Sequence, residues 1–239
     1  MKAIITKLNI IAILIILTLS ACDNAKQMSE REEQLFAQDY HSLVIPIDSL
    51  SILNDLIIYF DDTYCINESK EWPLVYLDMK TKELVCKGNR NTIAIGIEPA
   101  PCVKGQIQYD DHMILEIIKD GYNTEIEQII TEVDSIPSFV RKQMLSWGVD
   151  PNYAVGALGN GIWICTKKED KLSSLNIYIY NVVIGYLNSV REYSHLAYNK
   201  SIDELSEAEY QEIANEFVFS LAFKYTDKDI EINFGKVGY

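Results

Sequence analysis

The sequence predicts an α+β fold: a mixed or antiparallel sheet, a long amphipathic helix and a C-terminal β-hairpin. Three observations carry this. Short apolar runs bounded by turn residues fill the first third after the leader, a continuous helical stripe occupies residues 172–197, and period-two alternation closes the chain at 217–225 and 230–234. Strands first, helices in the middle and strands last give α+β rather than the strict strand–helix alternation of a doubly wound sheet.

Taken in order, residues 43–47 and 56–60 are apolar runs broken by Asp48-Ser49 and Asp61-Asp62, which suit strands or a strand with a helical turn. Residues 74–79 and 83–87 flank Lys80-Thr81-Lys82 as a hairpin, and 92–97 continues the strand pattern until Pro99 and Pro101 stop it. From Asp110 the reading changes to helix. Met113, Ile114, Ile117 and Ile118 fall at helical spacing up to Gly121, and Ile126, Ile129, Ile130 and Val133 form a second such stretch. Pro137 opens a third helix that runs to Trp147. Residues 153–157 and 162–166, joined by Leu158-Gly159-Asn160-Gly161, then read as a hairpin.

In the long helix, Leu172, Leu175, Ile179, Val182, Tyr186, Val190, Tyr193 and Ala197 alternate steps of three and four, so they share one stripe. Gly185 inside it costs about 1 kcal/mol relative to Ala and points to close packing against another element. Ser206 and Glu209 form a capping box ahead of a helix whose apolar face is Tyr210, Ile213, Ala214 and Phe217. Alternation at Phe217, Phe219, Leu221, Phe223 and Tyr225, and again at Ile230, Ile232 and Phe234, gives the terminal hairpin.

The chain has 239 residues, 48% hydrophobic and 23% charged, which excludes wholesale disorder, collagen-like repeats and a multi-span membrane protein. Its start, with Lys2 and Lys7, a short apolar stretch over 8–19 and then small residues, is a secretory signal peptide, too short for a bilayer span of about 20 apolar residues. Leu19-Ser20-Ala21-Cys22 resembles the bacterial lipobox. That resemblance implies a diacylglyceryl group on the sulfur of Cys22, acylation of the new N-terminus, and membrane attachment by lipid. The expected organisation is a signal peptide over 1–21, an acylated polar tether over 22–42, and a single α+β domain over 43–239 with a subdivision near 150. Removing residues 1–21, which hold two lysines and no acid, takes the formal charge from −14 to −16. A balance that acidic excludes a nucleic-acid partner, because phosphate contacts need a basic footprint, and it disfavours anionic lipid headgroups for the same reason.

With Cys22 assigned to lipid, Cys65, Cys86, Cys102 and Cys165 remain, and export permits disulfides among them. Four thiols allow three pairings. Cys86 with Cys102 is the expected pair, since they sit at the ends of a strand–loop segment; buried free thiols are the alternative. No CxxC spacing occurs, which argues against a thiolate zinc site or a thioredoxin-like motif.

Chemistry has one candidate cluster, Asp111, His112 and Glu116. On a helix His112 and Glu116 share a face at i, i+4, a spacing used by metal sites and acid–base pairs. A metal needs a third protein ligand, and the other histidines are the distant His41 and His195. An acid-rich helix start is the simpler account. Gly156, Gly159 and Gly161 match neither a dinucleotide fingerprint nor a P-loop and mark a tight turn. No G-x-S-x-G elbow and no H-E-x-x-H is present. Trp72, Trp147 and Trp163 with 15 tyrosines offer stacking surfaces for glycans or peptides, and the acidic run over 203–216 reads as a solvated helix face.

Residues 164–170, 178–192 and 198–207 resemble the periplasmic part of ExbD/TolR-type biopolymer-transport proteins. The resemblance implies a small α+β domain that dimerises and meets energy-transducing partners or cell-wall peptide. Those proteins are anchored by a transmembrane helix bearing an Asp, whereas residues 8–21 hold no ionisable group, so the motor role does not carry over. The sequence therefore leads to a lipid-anchored, cofactor-free envelope module that binds a protein or peptide. A glycan-binding surface lipoprotein, and a hydrolase or metal-dependent enzyme around His112, are the two other readings.

Overall fold

A computed structural model describes residues 28–36, 42–67, 69, 71–98, 113–154 and 160–226. The fold is α+β, as the sequence predicts. A first sheet is built on β2 (Trp72–Asp78), which carries parallel β1 (Ser42–Val44) and antiparallel β3 (Glu83–Val85) along one edge and antiparallel β4 (Thr92–Gly96) along the other. The predicted β2–β3 hairpin is present. Residues 56–60 resolve to helix: α2 (Leu53–Phe60) buries Leu53, Leu56 and Phe60 and runs on into a π-helical turn over Asp61–Ile66.

The second sheet has the order β7-β6-β5-β8-β9. Its strands are β5 (Ile114–Asp120), β6 (Asn123–Ile126), β7 (Ile129–Thr131), β8 (Gly161–Thr166) and β9 (Leu221–Tyr225). β5, β6 and β7 form an antiparallel meander, while β5, β8 and β9 run parallel. Where the chain leaves β4, the Glu98 amide donates to the Leu221 carbonyl at 2.7 Å, and this bridge joins the two sheets.

The two helices expected over 113–118 and 126–133 are strands. With Leu115 included, residues 113–118 are apolar on both faces of either structure, so spacing alone does not separate them. Burial does: Leu115 and Ile117 are fully buried and alternate with half-buried Ile114, Glu116 and Ile118. The turns also favour the meander, because Gly121 and the pair Glu127-Gln128 all adopt positive φ, the backbone of tight hairpin turns. The hairpin expected between 153–157 and 162–166 is also corrected. β8 has β5 on one edge and β9 on the other, so neither edge is left for a hairpin partner.

The third predicted helix is α3 (Ile136–Leu145), with Pro137 in its first turn. The long stripe begins as a 3-10 turn over Leu172–Leu175 and continues as α4 (Asn176–Tyr198). Gly185 explains itself here. A Cβ on it would lie 2.7 Å from Val140 Cβ and 2.8 Å from Pro137 Cα, so only glycine lets α3 and α4 approach this closely. α5 (Glu207–Glu216) has the predicted capping box, with Glu209 N–H donating to Ser206 Oγ at 3.4 Å and Ser206 N–H to Glu209 Oε2 at 2.7 Å.

Helix α4 covers the face of the second sheet that carries Leu115, Ile117, Ile162, Ile164 and Leu221, all fully buried. Tyr178 of α4 shares a 3.0 Å hydrogen bond with Thr124 of β6. Tyr186, also fully buried, donates to the Phe217 carbonyl at 2.5 Å. β9 confirms the period-two reading of 221–225; the second strand of the terminal hairpin, over 230–234, lies outside the described residues.

Residues 31–36, which composition places in a tether, pack into the domain. Around α1 (Glu30–Gln34), residues 31–36 belong to the same compact unit as the rest of the domain. Glu32 accepts two hydrogen bonds from Arg191 at 2.6 and 2.8 Å, and the Phe36 ring meets Tyr186 and Phe219 edge-on, each at 5.0 Å. Acidic composition hid this, because two buried apolar residues, Leu35 and Phe36, do the docking.

Candidate functional site

Strand alternation gives the second sheet a second face, opposite α4. Register places Ile130, Glu125, Ile118, Cys165 and Lys224 in one row across all five strands, and Glu116, Trp163 and Ala222 in the next. Ile130 is 72% exposed at one end. At the other, Lys224 donates to Glu116 at 3.0 Å, with its ammonium 4.6 Å from the centroid of the Trp163 ring. The ammonium thus pairs with the carboxylate while lying over the π-face of the indole, which adds to its hold on the cation. Burial pushes the Cys165 thiol up to about 12, Glu116 adds to the rise and Lys224 only partly offsets it, so this sulfur stays protonated and is a poor nucleophile.

β7 is the terminal strand of the sheet among the described residues. Its Ile129 and Ile130 are 55% and 72% exposed. Sheet edges are ordinarily blunted by charge or proline, so two consecutive exposed isoleucines on an edge mark a surface suited to receive an extended segment.

Of the predicted cluster Asp111, His112 and Glu116, the structure describes Glu116 alone. Glu116 lies on a strand, where it pairs with Lys224, and not on a helix one turn from His112; Asp111 and His112 lie outside the described residues. No group of three or more His, Cys, Asp or Glu is placed to hold a metal among the described residues. The expected Cys86–Cys102 disulfide is corrected. Cys86 is a free thiol at the end of β3 whose sulfur accepts the Asp48 N–H at 3.2 Å, while Cys65, in the π-helical turn, is disulfide-bonded. Strand ends made Cys86 attractive in the sequence, but its neighbour in space is the chain at Asp48. Cys22 and Cys102 lie outside the described residues, as do residues 155–159 of the glycine-rich turn.

The carboxyl ends of β5 and β8, where parallel sheets commonly bind ligands, are closed by the chain itself. Asp170 accepts from Lys119 at 2.7 Å and from the Thr166 hydroxyl, while its backbone carbonyl accepts the first amide of α2 at 2.9 Å. The alternation along β5 could have revealed the opposite, half-buried face from sequence. The five-strand row could not be found that way, because it depends on parallel pairing between segments far apart in the chain. No protein-family model, no curated protein and no solved structure matches this chain.

Proposed function

We infer that this chain is a lipid-anchored protein of the bacterial cell envelope whose domain binds a protein or peptide segment along β7 and the adjoining outer sheet face. The observation that carries the binding reading is the pair of exposed isoleucines on the terminal strand. Free backbone groups on such an edge supply affinity and the alternating side chains supply selectivity. The lipobox-like Leu19-Ser20-Ala21-Cys22 supports the anchor, and the disulfide at Cys65 suits the oxidising compartment to which a signal peptide leads. The stretch resembling ExbD/TolR-type proteins favours an envelope partner, or a second copy, over a soluble ligand.

Photo-crosslinking from position 129, the other exposed isoleucine of β7, in the native lipoprotein tests the surface. A specific adduct is expected that disappears with Ile130→Lys and survives Ile58→Lys, an equally polar change at an exposed position of α2; loss in both, or in neither, ends this reading. Cys22→Ala with cell fractionation tests the anchor separately. An acylated sulfur has no valence left for a disulfide, so the anchored reading also leaves Cys102 as the partner of Cys65, which non-reducing peptide mapping reads directly.

Glycan binding is the second reading. Trp147 is 40% exposed, with its ring 5.7 Å from that of Tyr193. Glycan-array signal abolished by Trp147→Ala would favour it over the peptide.

A further inference from the structure

In a chain of formal charge −14, one end of the first sheet is basic. The β2–β3 turn carries Lys80 and Lys82, and the loop from β3 to β4 carries Lys87 and Arg90, all four exposed. These two segments form one structural unit because Asp78, 7% exposed at the end of β2, ties them together. Its Oδ1 accepts the amides of Lys80 and Thr81 at 2.9 and 3.0 Å, and its Oδ2 accepts Asn89 Nδ2 at 3.3 Å. Met79 N–H donates to the Asn91 carbonyl at 2.9 Å, and Asn89 N–H donates to Thr92 Oγ1 at 2.8 Å. Chiefly the Thr81 amide, with Asn89 and Lys80 adding, holds the Asp78 carboxyl below its ordinary range against the effect of burial.

The buried carboxylate is thus committed to shaping the tip. Lys82 has its ammonium 4.5 Å from the Tyr180 ring centroid, but Lys80, Lys87 and Arg90 make no ion pair among the described residues. Glu83 is the exposed acid within these two segments, and exposed Asp48 lies against Cys86, next in sequence to Lys87. Between the cations stand Thr81, Gly88 and Asn89, which are small or polar and exposed. Such a tip suits a laterally spread field of phosphates, and it acts only within about 8 Å at physiological salt.

We propose that the Lys80, Lys82, Lys87 and Arg90 tip docks on the anionic headgroups of the membrane that holds the Cys22 lipid. The partner is identified by charge complementarity, and the proposal rests on the anchored reading. Net acidity argues against membrane contact only if charge is spread evenly. Here the cations are concentrated on one rigid tip, so the molecule is held by lipid at Cys22 and orientated by a second, electrostatic contact.

The test uses the mature chain with Cys22→Ala, so that no acyl chain contributes, and vesicles of phosphatidylglycerol mixed with phosphatidylcholine against vesicles of phosphatidylcholine alone. Co-sedimentation is expected with the anionic vesicles only, and is expected to vanish in about 0.5 M salt. Lys80→Gln, Lys87→Gln and Arg90→Gln should each weaken binding about fivefold, while Lys80→Arg and Lys87→Arg keep it. Equal binding to neutral vesicles, wild-type binding by the triple Gln variant, or capture by polyglutamate without capture by anionic vesicles would each overturn the proposal. Because the assayed chain carries no lipid, failure here leaves the fractionation test of the anchor untouched.

Discussion

Asp170 shows how one side chain can close a strand end. Burial alone would raise its pKa, but the Lys119 ammonium, the Thr166 hydroxyl and the charges of Lys119 and Lys167 outweigh it and hold the carboxyl below its ordinary value. A depressed folded-state pKa contributes stability above the unfolded value of about 4, and that contribution disappears as pH falls through the folded value. Asp170→Asn should therefore lower stability at neutral pH and flatten its decline below about pH 4, as read by urea unfolding across pH. An unchanged acid limb would show that Asp170 does not hold this end of the sheet. At this scale the sequence was legible where bonds are local: the Ser206–Glu209 box spans three residues and forms as predicted. Asp170 with Lys119 joins a loop to a strand, Glu116 with Lys224 joins two strands, and no local spacing reveals such pairs.

Among the elements, α3 and α4 depend on each other through Gly185. Alanine would gain about 1 kcal/mol of helix propensity, yet its methyl would sit 2.7 Å from Val140 Cβ and 2.8 Å from Pro137 Cα. Overpacking of that kind costs about 1–3 kcal/mol, and part of the contact is backbone that cannot rotate away. Gly185→Ala is thus expected to lower stability by up to about 2 kcal/mol net in denaturant unfolding; a gain would mean that the helices are less closely apposed. Element type was legible where one face is buried over a long stretch, as in α4, and where a turn separates short alternating runs, as in β2 and β3. It was not legible at β5 to β7. An isoleucine-rich run matches both periods, and strand identity came from pairing with the parallel β8.

For the whole molecule, residues 31–36 are part of the fold and not a spacer. Phe36 is 3% exposed between Tyr186 and Phe219, so Phe36→Ala should cost about 3–5 kcal/mol by thermal or denaturant unfolding. If the segment were a loose tether, the substitution would be silent. The outer sheet face and the basic tip likewise exist only in the assembled domain: the first needs five strands in register, and the second needs the turn and the loop drawn together by Asp78. Composition and local pattern alone determined the α+β class, the long helix, the β2–β3 hairpin and the expectation of export with a lipid on Cys22. Each of these depends on residues close together in the chain. Tertiary structure decided the strand identity of β5 to β7, the extent of the N-terminal docking, the thiol state of Cys86 and the grouping of charge against the net −14. The physical reason is that side-chain period is a local property, whereas pairing, burial and electrostatic neighbourhood are set by segments that meet only when the chain folds.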